Sequence, residues 1–69
     1  MRYLTFDSEA EAVERSRSEA EARGCDIVNT TSWWPWRVDP VSGEAVLIIE
    51  DGDALRPGET ASATPPEWL

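Results

Sequence analysis

The chain has 69 residues, with 14 acidic and six basic side chains and a formal net charge of −8 at pH 7. One cysteine and no histidine exclude an internal disulfide and the usual zinc-ligand sets. Because there is no basic patch to displace counterions, direct binding to nucleic acid or to an anionic membrane surface is not expected.

The first predicted element is a short β-strand over residues 2–6. Leu4 and Phe6 share one face of this stretch, and Tyr3 and Thr5 share the other. Aromatic and β-branched residues on a period of two are typical of a strand.

A helix is predicted next, running to about Arg23 with Gly24 as its C-terminal stop. Ser8 and Glu11 form a capping-box pattern at its start, in which each side chain satisfies a backbone donor of the other residue. Its apolar stripe is thin and consists of Ala10, Val13 and Ala20, with Ser16 and Arg17 interrupting it. Such a stripe suits one helix lying close against a sheet.

The charges of this helix are expected to pair with one another. Glu11 with Arg15, and Glu19 with Arg23, are i,i+4 pairs in the favourable orientation, each stabilising the helix by a few tenths of a kcal/mol. The helix charges are therefore interpreted as a solvated face. Residues 25–29 are ambiguous between strand entry and loop, and residues 30–32 are predicted to be extended or a turn. A thiolate at Cys25, beside a helix C-terminus, is disfavoured.

An aromatic β-hairpin follows. Pro35 cannot donate a ladder hydrogen bond, which predicts an edge strand. Trp34 and Trp36 share one parity and are predicted to close the core over the alanines of the helix. Trp33, on the other parity, is either part of the core or an exposed anchor for a partner, with Arg37 stacked on it.

The turn and the last strand complete the predicted topology. Residues 39–43, Asp-Pro-Val-Ser-Gly, are typical of a tight turn. Residues 45–49 are apolar on both parities, which predicts a central strand buried on both faces. The predicted fold class is α+β, in β-α-β-β order, with one helix packed on a small three-stranded antiparallel or mixed sheet.

One domain is predicted over residues 1–58, followed by a flexible Pro/Ala/Thr tail over residues 59–69 that ends in Trp68 and Leu69. The helix covers one face of the sheet, and something else must cover the other. Self-docking of Trp68 and Leu69, or disorder, is favoured over a linear motif for a partner. A homodimer through the open sheet face is a further alternative.

The excess negative charge lies in the second half of the chain. From residue 39 onward there are seven acids and one arginine, a net of −6, whereas residues 1–38 have seven acids and five arginines, a net of −2. These acids either keep the protein soluble or present a phosphate-like surface to a basic protein groove. The second interpretation makes the partner-binding candidates Asp39, Glu44, Glu50, Asp51 and Asp53, with Trp33 as an anchor.

No catalytic, metal or cofactor signature accompanies these acids. Residues 50–53 lack the alternating ligands and the closing glutamate of a calcium loop. With no histidine and no second cysteine, only carboxylates are available as acid or base, and nothing marks a catalytic pair. The predicted function is therefore non-enzymatic, with no cofactor.

The early acids Asp7, Glu9 and Glu11 do not fit a signal peptide. No stretch approaches the roughly 20 apolar residues of a membrane span, and a lone cysteine suits a reducing compartment. A cytoplasmic protein is predicted.

The layout of residues 1–50 resembles that of small proteins of tailed phages, prophages and gene transfer agents. The resemblance rests on the start from Met1 to Ala12, a short helix, and a Trp-rich hairpin with Asp-Pro-Val-Ser-Gly-Glu at residues 39–44. It implies a phage-type accessory protein in a host bacterial cell. Anti-CRISPR proteins are prominent among the small acidic members, and many resemble DNA in charge and block the basic channel of a Cas effector complex. The group shares no site motif, so no functional residue is transferred.

Two functions follow as expectations. The first is an anti-CRISPR-like inhibitor that binds a host nucleic-acid-binding complex through a DNA-mimicking acidic surface, in a salt-dependent manner. The alternative is a structural or assembly accessory protein of a phage-like particle, held by Trp33, Trp68 and the open sheet face in a salt-resistant manner.

Overall fold

The structure, a computed structural model, describes residues 1–24 and 33–69. Its elements are β1 (Arg2–Phe6), α1 (Glu9–Ala22), β2 (Trp36–Val38) and β3 (Ala45–Ile49). The strands form one sheet in the order β1-β3-β2, with β3 antiparallel to both neighbours. The predicted α+β class and β-α-β-β order are confirmed. The predictions for residues 25–32, including Cys25, lie outside the described residues.

β3 is the central strand, as its uniformly apolar sequence predicts. Leu47 pairs with Leu4 of β1 on one side and with Trp36 of β2 on the other. Val46 and Leu47 point to opposite faces of the sheet, and both are fully buried. The middle of β3 is therefore covered on both faces.

β2 lies at the edge of the sheet, as Pro35 predicts. The predicted turn connects it to β3, with the Gly43 N–H donating to the Asp39 carbonyl at 2.9 Å. Gly43 has a φ of +82°, the left-handed region that favours glycine. The three-residue length of β2 and the exposed Arg37 protect its free edge against pairing with another strand.

The bounds of α1 agree with the predicted helix. The Ser8 hydroxyl accepts the Glu11 N–H at 3.3 Å, and Gly24 follows the last turn with a φ of +76°. The hydrogen bonds of the described residues include this half of the capping box but not the return bond from the Glu11 side chain. Within residues 1–24 and 33–69, no helix has the length and apolar content that a membrane crossing needs.

The predicted apolar stripe of α1 is confirmed at Ala20 and wrong at Ala10 and Val13. Ala10 is exposed and Val13 is only partly buried, whereas Ala12, Ser16 and Ala20 are fully buried. These three residues are spaced at i, i+4 and i+8, so they line one side of the helix. Their small size lets α1 approach the sheet and Trp34 closely. Ser16 can be buried on this side because its hydroxyl forms hydrogen bonds with the backbone of Trp33 and Trp34.

The main core lies between α1 and the sheet. It consists of Leu4, Ala12, Trp34, Ala45, Leu47 and Ile49, with Phe6, Trp36, Val38, Leu55 and Ala61 packed around it. Trp34 is 2% exposed, so its predicted place in the core is confirmed. Trp36 is partly buried and donates its indole N–H to the Glu9 carboxylate at 3.2 Å.

The C-terminal segment, residues 59–69, begins its path along the outer edge of β1. Ser62 and Tyr3 exchange two backbone hydrogen bonds of 2.8 and 2.9 Å. Ala61, one residue earlier, packs against the main core. The segment therefore covers the edge of the sheet that β2 does not occupy. Whether it is flexible, and whether the domain ends at residue 58, stay predictions.

Trp68 contacts the hairpin of its own chain. Its indole N–H donates to the Glu44 carboxylate at 2.8 Å. Self-docking is therefore the predicted alternative that the structure shows for Trp68. Leu69 remains 47% exposed. A homodimer through the open sheet face stays a prediction.

Candidate functional site

The five acids predicted to bind a partner lie at the two opposite ends of β3. Asp39 and Glu44 flank the hairpin turn before β3, whereas Glu50, Asp51 and Asp53 follow its last residue. A five-residue strand is about 17 Å long. The predicted acidic surface is therefore two separate groups of carboxylates.

The hairpin end also receives the start of the helix. Phe6, the last residue of β1, pairs with Ala45, the first residue of β3. The residues that continue β1 into α1 therefore emerge beside Glu44. We define the hairpin end by its acidic residues Asp7, Glu9, Glu11, Asp39 and Glu44, and the opposite end by Glu50, Asp51 and Asp53.

At the opposite end, cations pair with two of the three carboxylates, those of Asp51 and Asp53. Asp51 pairs with the Met1 amino group, whose hydrogen bond lowers the pKa of Asp51. Asp53 lies 3.3 Å from the Arg23 guanidinium and also accepts the Trp34 indole N–H at 2.7 Å. The Arg2 guanidinium donates to the backbone carbonyls of Glu50 and Asp53. Much of the negative charge here is cancelled within the chain.

At the hairpin end, neutral donors hold the carboxylates instead. Asp39 accepts the Val41 N–H and the Ser42 hydroxyl, both at 2.9 Å, and these bonds lower its pKa. Glu9 and Glu44 each accept an indole N–H. Among the ion pairs between described residues, none involves an acid of the hairpin end. Neutral donors therefore orient the carboxylates of Asp39, Glu9 and Glu44 without cancelling their charge.

Trp33 does not adjoin the hairpin end. Trp33 is 38% exposed, and the guanidinium lying over its ring belongs to Arg23, at 4.7 Å from the ring centroid. Arg23 also pairs with Asp53, which places Trp33 near the opposite end. The predicted stacking of Arg37 on Trp33 is wrong, because Arg37 donates to the Trp36 carbonyl at 2.9 Å.

A buried arginine, missed by the sequence analysis, connects α1 to the C-terminal segment. Arg15 is 6% exposed. Its Nε and Nη2 donate to the two oxygens of Glu59 at 2.7 and 3.0 Å, and its Nη1 donates to Glu19 at 2.8 Å. Its guanidinium also lies 5.1 Å from the centroid of the Trp34 ring. This cluster fixes the C-terminal segment against the helix.

The cluster overturns part of the predicted helix pairing. Glu19 with Arg23 is confirmed at 2.8 Å, but Arg15 turns toward Glu59 and Glu19 and away from Glu11. The interpretation of all helix charges as a solvated face is therefore wrong for Arg15. One feature of the sequence could have indicated the burial of Arg15: it directly precedes Ser16, which lies with Ala12 and Ala20 on the buried side of the helix.

The pKa values of Glu59 and Glu19 predict that the stability of the fold depends on pH. Hydrogen bonds from Arg15 lower the pKa of Glu59. Burial would raise the pKa of Glu19, but hydrogen bonds from Arg15 and Arg23 outweigh it and lower that pKa too. Because both carboxyl groups have a lower pKa in the folded chain than the unfolded value of about 4.3, their ionised forms stabilise the fold above that pH. This stabilisation is lost as the pH falls through the folded pKa values.

Urea unfolding at neutral pH and at about pH 3 measures this loss. We expect a lower midpoint in acid for the natural chain, and a smaller drop for Glu59→Gln, which lacks one of the two carboxylates. Equal drops in both proteins would contradict the assignment to this cluster.

Residues 1–24 and 33–69 contain no group of three or more His, Cys, Asp or Glu side chains that could hold a metal ion. Comparisons of the chain with protein-family models, with curated proteins and with solved structures find no match.

Proposed function

We propose that this chain is a non-enzymatic binding protein whose hairpin end docks on the basic, nucleic-acid-binding surface of a partner protein and inhibits it. One observation carries the proposal: none of the five acids of the hairpin end takes part in an ion pair between described residues, whereas Asp51 and Asp53 of the opposite end do. Charge of one sign on one end attracts a surface of opposite sign and orients the approach.

The geometry supports this function because the carboxylates are held before a partner arrives. The Asp39 side chain is fixed by the turn that it caps, and indole N–H groups hold Glu9 and Glu44. Preorganised charges lose less conformational entropy on binding than free side chains do. Fixed negative charges at spaced positions substitute for the phosphates of a nucleic acid strand.

The proposed partner class is a host nucleic-acid-binding complex of the Cas effector type, met in the bacterial cytoplasm. A partner of this class presents arginines and lysines along the channel that holds its nucleic acid. The alternative, a structural role in a phage-like particle, has less support, because Trp68, one of its two aromatic anchors, is engaged with Glu44.

The salt dependence of binding tests the proposal. We expect the purified chain to bind a DNA-binding protein of this class with an affinity that falls steeply between low and high salt, because exposed charges are screened. We also expect duplex DNA to compete for the same surface. The measurement is a titration by calorimetry at several salt concentrations. Binding that is indifferent to salt and to DNA would contradict the proposal.

A further inference from the structure

The C-terminal segment contacts three separate parts of the fold. The contacts, in chain order, are Glu59 with Arg15 of α1, Ser62 with Tyr3 of β1, and Trp68 with Glu44 of the hairpin end. The segment therefore runs from the helix, across the outer edge of the sheet, to the candidate binding surface. Its first and last contacts are made by side chains, and the middle one joins two backbones.

Little apolar surface holds this segment in place. Ala61, whose side chain is one methyl group, is its member packed against the main core, and most of its residues are exposed. β1 and β3, in contrast, pair over five residues each, and Leu47 and Ile49 of β3 are fully buried. Parts of a protein with few buried apolar contacts open at a lower cost in free energy than its core does. We therefore expect the segment to open before the sheet.

Glu59 makes the strongest contact that keeps the segment closed. Its carboxylate accepts two hydrogen bonds from Arg15, which is 6% exposed, and a third from the Arg56 backbone N–H at 2.7 Å. Hydrogen bonds between charged groups are about twice as strong as neutral ones. Gly58, the preceding residue, has a φ of +88°, and its backbone rotates readily because glycine has no Cβ. The position best suited to act as a hinge therefore directly precedes the strongest contact.

We propose that the C-terminal segment opens about Gly58 as one unit while α1 and the sheet stay folded. Opening frees the Tyr3 backbone N–H and carbonyl at the outer edge of β1 and removes the indole donor from Glu44. The contact between Arg15 and Glu59 therefore controls how firmly Glu44 is held at the hairpin end. The opening itself needs no partner, and its consequence for partner binding rests on the function proposed above.

Hydrogen exchange of the chain alone, measured by NMR at several low concentrations of urea, tests this inference. The reporters are the Tyr3 and Ser62 amides and the Trp68 indole N–H, which cover both sides of the β1 contact and the end of the segment. We expect all three to share one opening free energy and to exchange at least about tenfold faster than the amides of Leu4 and Leu47. Their urea dependence should be small, because the opening exposes little surface.

Glu59→Gln tests whether the contact with Arg15 controls the opening. We expect the Ser62 amide and the Trp68 indole N–H to exchange about tenfold faster or more in this variant, because the hydrogen bonds to the buried guanidinium lose their charged acceptor. Trp68 has no described contact with Glu59, so its response measures the coupling along the segment. Glu67→Gln removes an exposed carboxylate from the same segment and should leave both rates within about twofold of the natural chain.

Three results would overturn this inference. Exchange of Tyr3 and Ser62 with the rate and urea dependence of Leu47 would mean that the segment unfolds only with the whole fold. Different opening free energies for Ser62 and Trp68 would mean that the segment does not open as one unit. A Trp68 indole unchanged by Glu59→Gln would remove the coupling to Glu44. The proposed function is decided separately, by salt-dependent binding to the DNA-binding protein.

Discussion

Glu59→Gln is expected to destabilise the protein by about 2 kcal/mol, because hydrogen bonds to a charged group contribute about 1.5–3 kcal/mol. Glu59 binds Arg15 through two such bonds, at 2.7 and 3.0 Å, and Arg15 is almost fully buried. The amide leaves the guanidinium with Glu19 as its remaining carboxylate partner. A domain of this size has roughly 3–5 kcal/mol of net stability, so the loss is a large fraction of the total.

Urea unfolding followed by tryptophan fluorescence measures this effect. Glu67→Gln is the matched control, since it removes an exposed carboxylate from the same C-terminal segment, and we expect it to leave the midpoint unchanged. Adding Arg15→Met to Glu59→Gln should restore part of the loss, because an apolar side chain does not require a buried partner. A Glu59→Gln variant as stable as the natural chain would refute the role given to the cluster.

The second large effect is expected at Ser16, where alanine should destabilise the fold by about 2 kcal/mol despite its higher helix propensity. The buried Ser16 hydroxyl accepts the N–H of Trp33 at 2.9 Å and of Trp34 at 2.8 Å, and donates to the Trp34 carbonyl at 3.0 Å. Ser16→Ala leaves the polar backbone groups of Trp34 without these bonds in a buried site.

Ser18→Ala provides the comparison on the same helix. The Ser18 hydroxyl accepts only an exposed hydrogen bond from Arg56 among the described contacts, so we expect a change within about 0.5 kcal/mol. Thermal unfolding of both variants distinguishes the two sites. If helix propensity decided the outcome, both substitutions would stabilise the protein, which would contradict the role of Ser16 as the bridge between α1 and the tryptophans.

The strands, the helix bounds and the hairpin were predictable because their signals are local. A period of two marks β1, an apolar run marks β3, and a proline and a glycine mark the edge strand and its turn. Each of these signals acts within a few residues. The β-α-β-β order follows once the elements are placed, because short connections and handedness leave few arrangements.

The contacts that shape the candidate site were not predictable in the same way. Arg15 and Glu59 are 44 residues apart in sequence, and spacing along a helix suggests only the local partner Glu11. Counting charges along the chain assigned the excess to the second half, but Asp51 and Asp53 meet cations that come from residues 1–23. Only the fold shows which carboxylates remain uncancelled.

The most direct test of the account compares two variants that remove equal charge from the two ends of β3. Asp7→Asn/Glu44→Gln acts at the hairpin end, and Asp51→Asn/Asp53→Asn removes the two carboxylates that are paired with cations at the opposite end. The measured quantity is the Kd for the DNA-binding protein at low salt. We expect about a tenfold weakening from the first pair and less than about threefold from the second, because charge already paired within the chain contributes little to attraction. Equal weakening, or a larger effect at the opposite end, would contradict the hairpin end as the binding surface.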